Sequence, residues 1–155
     1  VDLVTEKLIS LNYHNFMVEV GGEIKAVGVN RHQKPWQIAV ETPIELLREI
    51  HGVTPITGQS IATSGDYRNY YEKDGKRVSH TIDPSSGRPI EHSLASVSVI
   101  HKNCMTADAL ATAINVMGPE RGIEFANKNS IDAFFIIRQK GGSFIQKATN
   151  GFVIH

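Results

Sequence analysis

The sequence predicts an α+β domain: a mainly antiparallel sheet with packed helices. Three observations predict it. Short β-rich runs recur along the chain. Several are joined by tight glycine turns, the pattern of hairpins. Longer helical spacing appears in the first residues and in the stretch after Cys104.

Val1 to Ile9 already carries the helical spacing of Leu and Val, with no Ser, Thr or Asn cap before it. Asp2 as a cap would leave Val1 as the whole preceding chain. The start therefore reads as a truncated helix, and residues 1–155 as the carboxy-terminal portion of something longer. Asn12 to Asn15 break the helix. Phe16 to Val20 alternates as a strand, Gly21-Gly22 turns it, and Ile24 to Val29 returns. Trp36 to Val40 continues the sheet after Pro35, and Thr42-Pro43 opens a short helix through Ile44 to Leu47. Gln59 to Ser64 reads as a strand. Tyr67 to Tyr71 and Lys76 to Thr81 flank Lys73-Asp74-Gly75, a hairpin turn. Leu94 to His101, with Val97, Val99 and Ile100, is the natural central strand. A helix over Met105 to Met117 keeps Ala109, Ala113, Val116 and Met117 on one side and stops at Gly118-Pro119. Pro119 opens a second helix through Asn127, where its missing N–H costs nothing. Ala133 to Arg138 and Ser143 to Gln146 form a hairpin around Gly141-Gly142, and Phe152 to Ile154 reads as a last edge strand.

Composition excludes several function classes. Lys and Arg number 16 and Asp and Glu 16, so the formal charge is zero, against broad electrostatic capture of nucleic acid or anionic membrane. No apolar run in these residues is long enough to span a bilayer. The single cysteine, Cys104, excludes an internal disulfide and any cysteine cluster for zinc. It sits where an apolar helix face begins, and reads as a small buried residue rather than a nucleophile.

Two polar clusters carry the chemistry. In Ser79-His80-Thr81-Ile82-Asp83-Pro84, a histidine ends a strand and meets a tight turn continued by Ser85-Ser86-Gly87. Such a histidine is either structural or a general base held in one orientation. In Thr106-Ala107-Asp108-Ala109-Leu110-Ala111-Thr112, Asp108 and Thr112 stand one helical turn apart and share a face. Asp108 reads either as a first-turn carboxylate complementing the helix dipole or, with Thr112, as part of a Mg²⁺ site completed by water and phosphate. The small neighbours Ala107, Ala109 and Ala111 suit a close approach to the helix. Gly21-Gly22-Glu23 and Thr63 to Tyr67 are small-residue turns that either only turn the chain or let backbone amides reach a phosphate or ring edge.

Four segments in order carry a family resemblance: 18–24 (Val-Glu-Val-Gly-Gly-Glu-Ile), 63–71 (Thr-Ser-Gly-Asp-Tyr-Arg-Asn-Tyr-Tyr), 79–90 (Ser-His-Thr-Ile-Asp-Pro-Ser-Ser-Gly-Arg-Pro-Ile) and 106–113 (Thr-Ala-Asp-Ala-Leu-Ala-Thr-Ala). Together they resemble the ApbE-type FAD:protein FMN transferases, over essentially all of this chain but only the carboxy-terminal half of the family's length. The resemblance implies the family's fold and Mg²⁺-dependent transfer of FMN from FAD to a Thr or Ser hydroxyl of a target protein, with release of AMP. It implies His80 as catalytic base, Asp108 and Thr112 as metal ligands, Gly21, Gly22 and Glu23 as a flavin-contact segment, and Leu94 and Ala95 as a strand start beside FAD. It further implies a target among subunits of membrane redox complexes, and a periplasmic or membrane-anchored lipoprotein setting.

The family's upstream Asp-x-Gly-x-x-x-Lys-Gly motif does not occur here, so the amino-terminal half or another chain is expected to complete the flavin pocket. Two other functions stay open at this point. A metal-dependent FAD pyrophosphatase would use the same residues with water in place of the hydroxyl, and a flavin-binding module would not catalyse at all.

Overall fold

The computed structural model describes residues 1–44, 49–66, 70–73 and 76–155, and for 70–73, 76 and 77 the backbone only. Helix α1 (Asp2–Ser10) comes first, followed by the hairpin β1 (Phe16–Val20) and β2 (Glu23–Val27). Gly21 and Gly22 turn it at φ 70° and 107°, values that favour residues without a Cβ. Strands β3 (Trp36–Glu41), β4 (Ile50–Ile56) and β5 (Gln59–Gly65) follow, then the hairpin β6 (Tyr70–Lys73) and β7 (Lys76–Ser79). The short pair β8 (Ile82–Asp83) and β9 (Arg88–Pro89) precedes β10 (Leu94–His101), α2 (Cys104–Lys128), β11 (Asp132–Arg138) and β12 (Phe144–Ala148).

Six strands form the main sheet in the order β1-β2-β5-β10-β11-β12, every pair antiparallel. The fold is thus α+β and antiparallel, as the hairpin pattern predicts, with β10 inside the sheet. Trp36 to Val40 does form a strand but does not continue this sheet: among the described residues β3 pairs only with β4, a strand that the sequence pattern did not single out. Thr42 to Ile44 is not helical, and the rest of the helix expected there, with Tyr67 to Asn69 and the Asp74-Gly75 turn, lies outside the described residues. The expected edge strand at Phe152 to Ile154 is absent. Phe152 is buried in the core instead, its amide donating to Thr149 O at 3.1 Å, and His155 exchanges backbone hydrogen bonds with Val53.

The sheet separates two apolar layers. Ala26, Ile61, Ile100, Phe134 and Ile136 face β3 and β4, where Ile38, Val40 and Ile56 meet them. Val97, Val99, Ala133, Phe135 and Ile137 face α2, which contributes Ala111, Ile114 and Ala126. Even and odd positions of β11 thus serve opposite layers, as the period of two requires. In β10 the register slips between Leu94 and Ser96, so Ala95 is an extra residue and Leu94 joins the odd-numbered layer.

Helix α2 breaks where Gly118-Pro119 predicts. Gly118 takes φ 77°, ψ −180°, the left-handed residue that ends the first segment, and Pro119 opens the second. The buried face differs from the expected one. Cys104, Ala107, Ala111, Ile114 and Asn115 are buried, Ala109 is exposed, and Ala113, Val116 and Met117 are half-buried. Ala107 and Ala111 are small because the helix lies close on the sheet, not because a ligand approaches them.

The last carbonyls of the first segment lack helical donors. His92 Nε2 supplies one to Asn115 O at 2.7 Å, and its Nδ1 accepts from Leu94 N at 3.3 Å. Nε2 faces a carbonyl, which has no proton to give, so the hydrogen sits on Nε2.

Candidate functional site

A cleft of about 700 Å³ opens among the β1–β2 hairpin, β3, the end of β5, His80 and the first half of α2. Each wall follows from local structure. In β1, Val18 is buried, so Met17 and Glu19 point the other way, and Ile24 sits across from Glu19 in the register. The hairpin thereby lines the cleft with Met17, Glu19, Gly21, Gly22, Glu23 and Ile24. On α2, burying Ala107 and Ala111 leaves Asp108 and Thr112 exposed toward the cleft, one turn apart.

The end of β5 is fixed from several sides. Thr63 Oγ1 and Ser98 Oγ are 2.7 Å apart across the β5–β10 pair. Ser64 Oγ accepts from Nδ2 of the buried Asn115 at 3.3 Å. Just beyond, Asp66 receives a forked pair of bonds from Arg138 at 2.9 and 3.1 Å, the geometry in which Arg–carboxylate pairs are strongest.

His80 is exposed at the end of β7 and lines the cleft. The turn after it is held by Asp83, whose Oδ1 accepts from Ser85 N at 2.9 Å and from Ser85 Oγ at 2.8 Å. The Ser85 amide above all holds the Asp83 carboxyl below its usual range.

Of the residues singled out in the sequence, His80, Asp108, Thr112, Gly21, Gly22 and Glu23 come together in this cleft from segments far apart in the chain. Leu94 and Ala95 do not line it. Both are fully buried, and the Ala95 carbonyl accepts from Asp66 N at 3.1 Å. The first-turn reading of Asp108 is corrected: α2 begins at Cys104, its first turn holds no acidic residue, and Asp108 stands a turn further in. The carboxylate at that helix end is Asp2 of α1, whose Oδ1 and Oδ2 accept from Cys104 N and Met105 N, each at 2.9 Å.

Cys104 is buried, and burial first, with the nearby Asp2 carboxylate second, pushes its thiol up to about 11. It therefore stays protonated at neutral pH, which fits a packing residue and not a nucleophile.

Sequence reasoning missed Glu19 and Glu41, which bring the cleft's carboxylates to four with Glu23 and Asp108. The alternation around Val18 was the available signal for Glu19. No Lys or Arg appears among the described residues of the lining.

The family model described as ApbE matches residues 1–135. A FAD:protein FMN transferase of Vibrio cholerae is 47% identical over 152 residues, which cover 98% of this chain and 45% of the relative. One of Haemophilus influenzae is 46% identical over 153 residues, covering 98% and 44%. Among solved structures, the flavin transferase ApbE from Vibrio cholerae superposes with a TM-score of 0.86 at 45% identity, covering 98% of this chain and 48% of that one. The apo flavinyl transferase ApbE of Pseudomonas stutzeri gives 0.84 at 46% identity, covering 97% and 46%. The chain spans about half the length of the relatives it matches. With the match running through every wall of the cleft, the chain belongs to the ApbE family.

Proposed function

We propose that this chain forms the metal-holding and acceptor-activating part of a transferase that moves FMN from FAD to a Thr or Ser hydroxyl of a target protein. The observation that carries the proposal is the convergence of His80 with Asp108 and Thr112 in one cleft, in a member of this family. A volume near 700 Å³ suits a small-molecule site.

Four carboxylates and no described cation make the cleft a poor host for a bare pyrophosphate, which needs positive charge beside it. Asp108 and Thr112 fit a divalent cation: both are exposed, both offer hard oxygen atoms, and they share one helical face. Such a pair suits Mg²⁺, which keeps several waters and takes phosphate oxygens as further ligands. When bound, Mg²⁺ would act as a Lewis acid on the pyrophosphate.

The chain's own groups do the rest. Gly21 and Gly22 present backbone without side chains to the ligand, while Met17, Ile24 and Ala39 offer apolar surface to the flavin ring. His80 accepts the proton of the acceptor hydroxyl as its oxygen bonds to the FMN phosphorus. The phosphorus–oxygen bond to the AMP half breaks, and AMP leaves with that electron pair. A base of this kind typically contributes about 10²–10⁴-fold.

The acceptor is proposed to sit on a redox-complex subunit, and the setting to be periplasmic or membrane-anchored. Fractionation of cells making the full-length protein checks the latter. Incubating the full-length protein with FAD, Mg²⁺ and an acceptor peptide tests the reaction. A peptide gaining the mass of FMN supports it. FMN and AMP without that gain make the protein a pyrophosphatase, and neither product makes it a flavin binder; both results overturn the proposal.

A further inference from the structure

The start of α2 is held by residues from two other elements. Asn103, at the N-cap position, makes no side-chain capping bond. The free amides of Cys104 and Met105 point instead to the Asp2 carboxylate, 102 and 103 residues away in sequence. Just upstream, Lys25 Nζ donates to Lys102 O and, at 3.0 Å, to Gly58 O. Lys25 follows Ile24 on β2, the strand whose start lines the cleft with Glu23 and Ile24. Asp108 lies one turn beyond Cys104, and Thr112 one turn beyond that.

We infer that Asp2 and Lys25 are positioning residues, a clamp that fixes α2 against the β1–β2 hairpin and so sets where Asp108 and Thr112 present their oxygens. The inference rests on the metal role proposed for those two residues. A helix can slide or rotate on its apolar face at modest cost, but amides fixed at its first turn remove that freedom. Asp2 also places a negative charge at the positive end of the helix dipole, which α2's own first turn does not supply. Burial alone would raise the Asp2 pKa, but it is lowered below its ordinary value by the two amides first, with the Lys25 ammonium among the charges that add to them. The clamp thereby links the two walls of the cleft without either residue touching the ligand.

The test uses the full-length protein with FAD present and titrates Mn²⁺ as a spectroscopic stand-in for Mg²⁺, following the free-ion resonance. Asp2→Ala should weaken Mn²⁺ binding about tenfold, the low end of the loss typical when a group that orients a metal ligand is removed. The Mg²⁺ concentration for half-maximal transfer should rise in parallel, with the maximal rate recovered at saturating Mg²⁺. Asp2→Asn keeps one acceptor oxygen but loses the charge and the acceptor facing the second amide, so its Mn²⁺ affinity should fall between those of wild type and Asp2→Ala. Lys25→Met should shift binding in the same direction, and serves if Asp2→Ala does not fold. Wild-type Mn²⁺ affinity in both Asp2→Ala and Lys25→Met would overturn the clamp. A wild type that binds no Mn²⁺ would overturn the metal assignment and the clamp's role with it. Weakened Mn²⁺ binding in a protein that never transfers FMN would keep the clamp and overturn the proposed reaction.

Discussion

Replacing His92 with Ala tests how the break in α2 is stabilised. The imidazole Nε2–H is 2.7 Å from Asn115 O, a carbonyl on a fully buried residue near the end of the helix's first segment. Without His92, that carbonyl loses the donor seen there, and leaving a buried polar group unpaired costs about 1–3 kcal/mol. The Leu94 amide loses Nδ1 as well, but that bond is long at 3.3 Å and contributes less. The ring also packs on Gly118, where an added Cβ would come within 3.1 Å of its Cδ2. A loss of about 2 kcal/mol is expected, which for a chain of this size lowers the melting temperature by roughly 4–8 °C. Urea unfolding of wild type, His92→Ala and His92→Gln measures it, with Gln, which keeps an N–H donor, expected to lose less. A His92→Ala change below about 0.5 kcal/mol would refute the claim that His92 serves the orphaned carbonyl.

Three further predictions concern the cleft and the clamp. Asp108→Ala in the full-length protein should abolish Mg²⁺-dependent turnover and leave the melting temperature nearly unchanged, because the side chain is exposed; full Mg²⁺-dependent activity would remove Asp108 from the metal site. His80→Ala should slow transfer by about 10²–10⁴-fold, with FAD affinity, read by fluorescence quenching, little altered; parallel loss of both would make His80 a binding residue. The folded-state pKa of Asp2 lies below the ordinary 3.8, so its stabilisation is complete above that value and fades as pH falls through the lower folded-state pKa. The stability gap between wild type and Asp2→Ala should therefore be constant near neutral pH and narrow only in acid below 3.8, as acid titrations of both would show.

Much of the fold is local, and the sequence determined it. The β1–β2 and β11–β12 hairpins were legible because glycines mark their turns, and Gly21, Gly22, Gly141 and Gly142 all take positive φ. The break of α2 was legible because Gly118-Pro119 is itself the cause of the break. The order of short motifs singled out His80, Asp108, Thr112 and Gly21 to Glu23, and these do share a cleft.

The rest depended on which distant segments meet, and tertiary structure alone decided it. Strand β3 looked like a member of the main sheet, since alternation reports a half-buried strand and not its neighbour. The buried face of α2 was misjudged because small residues occur on several sides of that helix, and only the sheet selects Ala107 and Ala111. A one-residue slip in register beside Ala95 places Leu94 in the layer facing α2, a shift that leaves the strand's composition unchanged. Asp2 was set aside as a cap for its own helix, and its carboxylate instead closes a helix that begins 102 residues later. A capping residue near in sequence can be found by spacing; one supplied across the fold is defined by packing, and no local pattern encodes it.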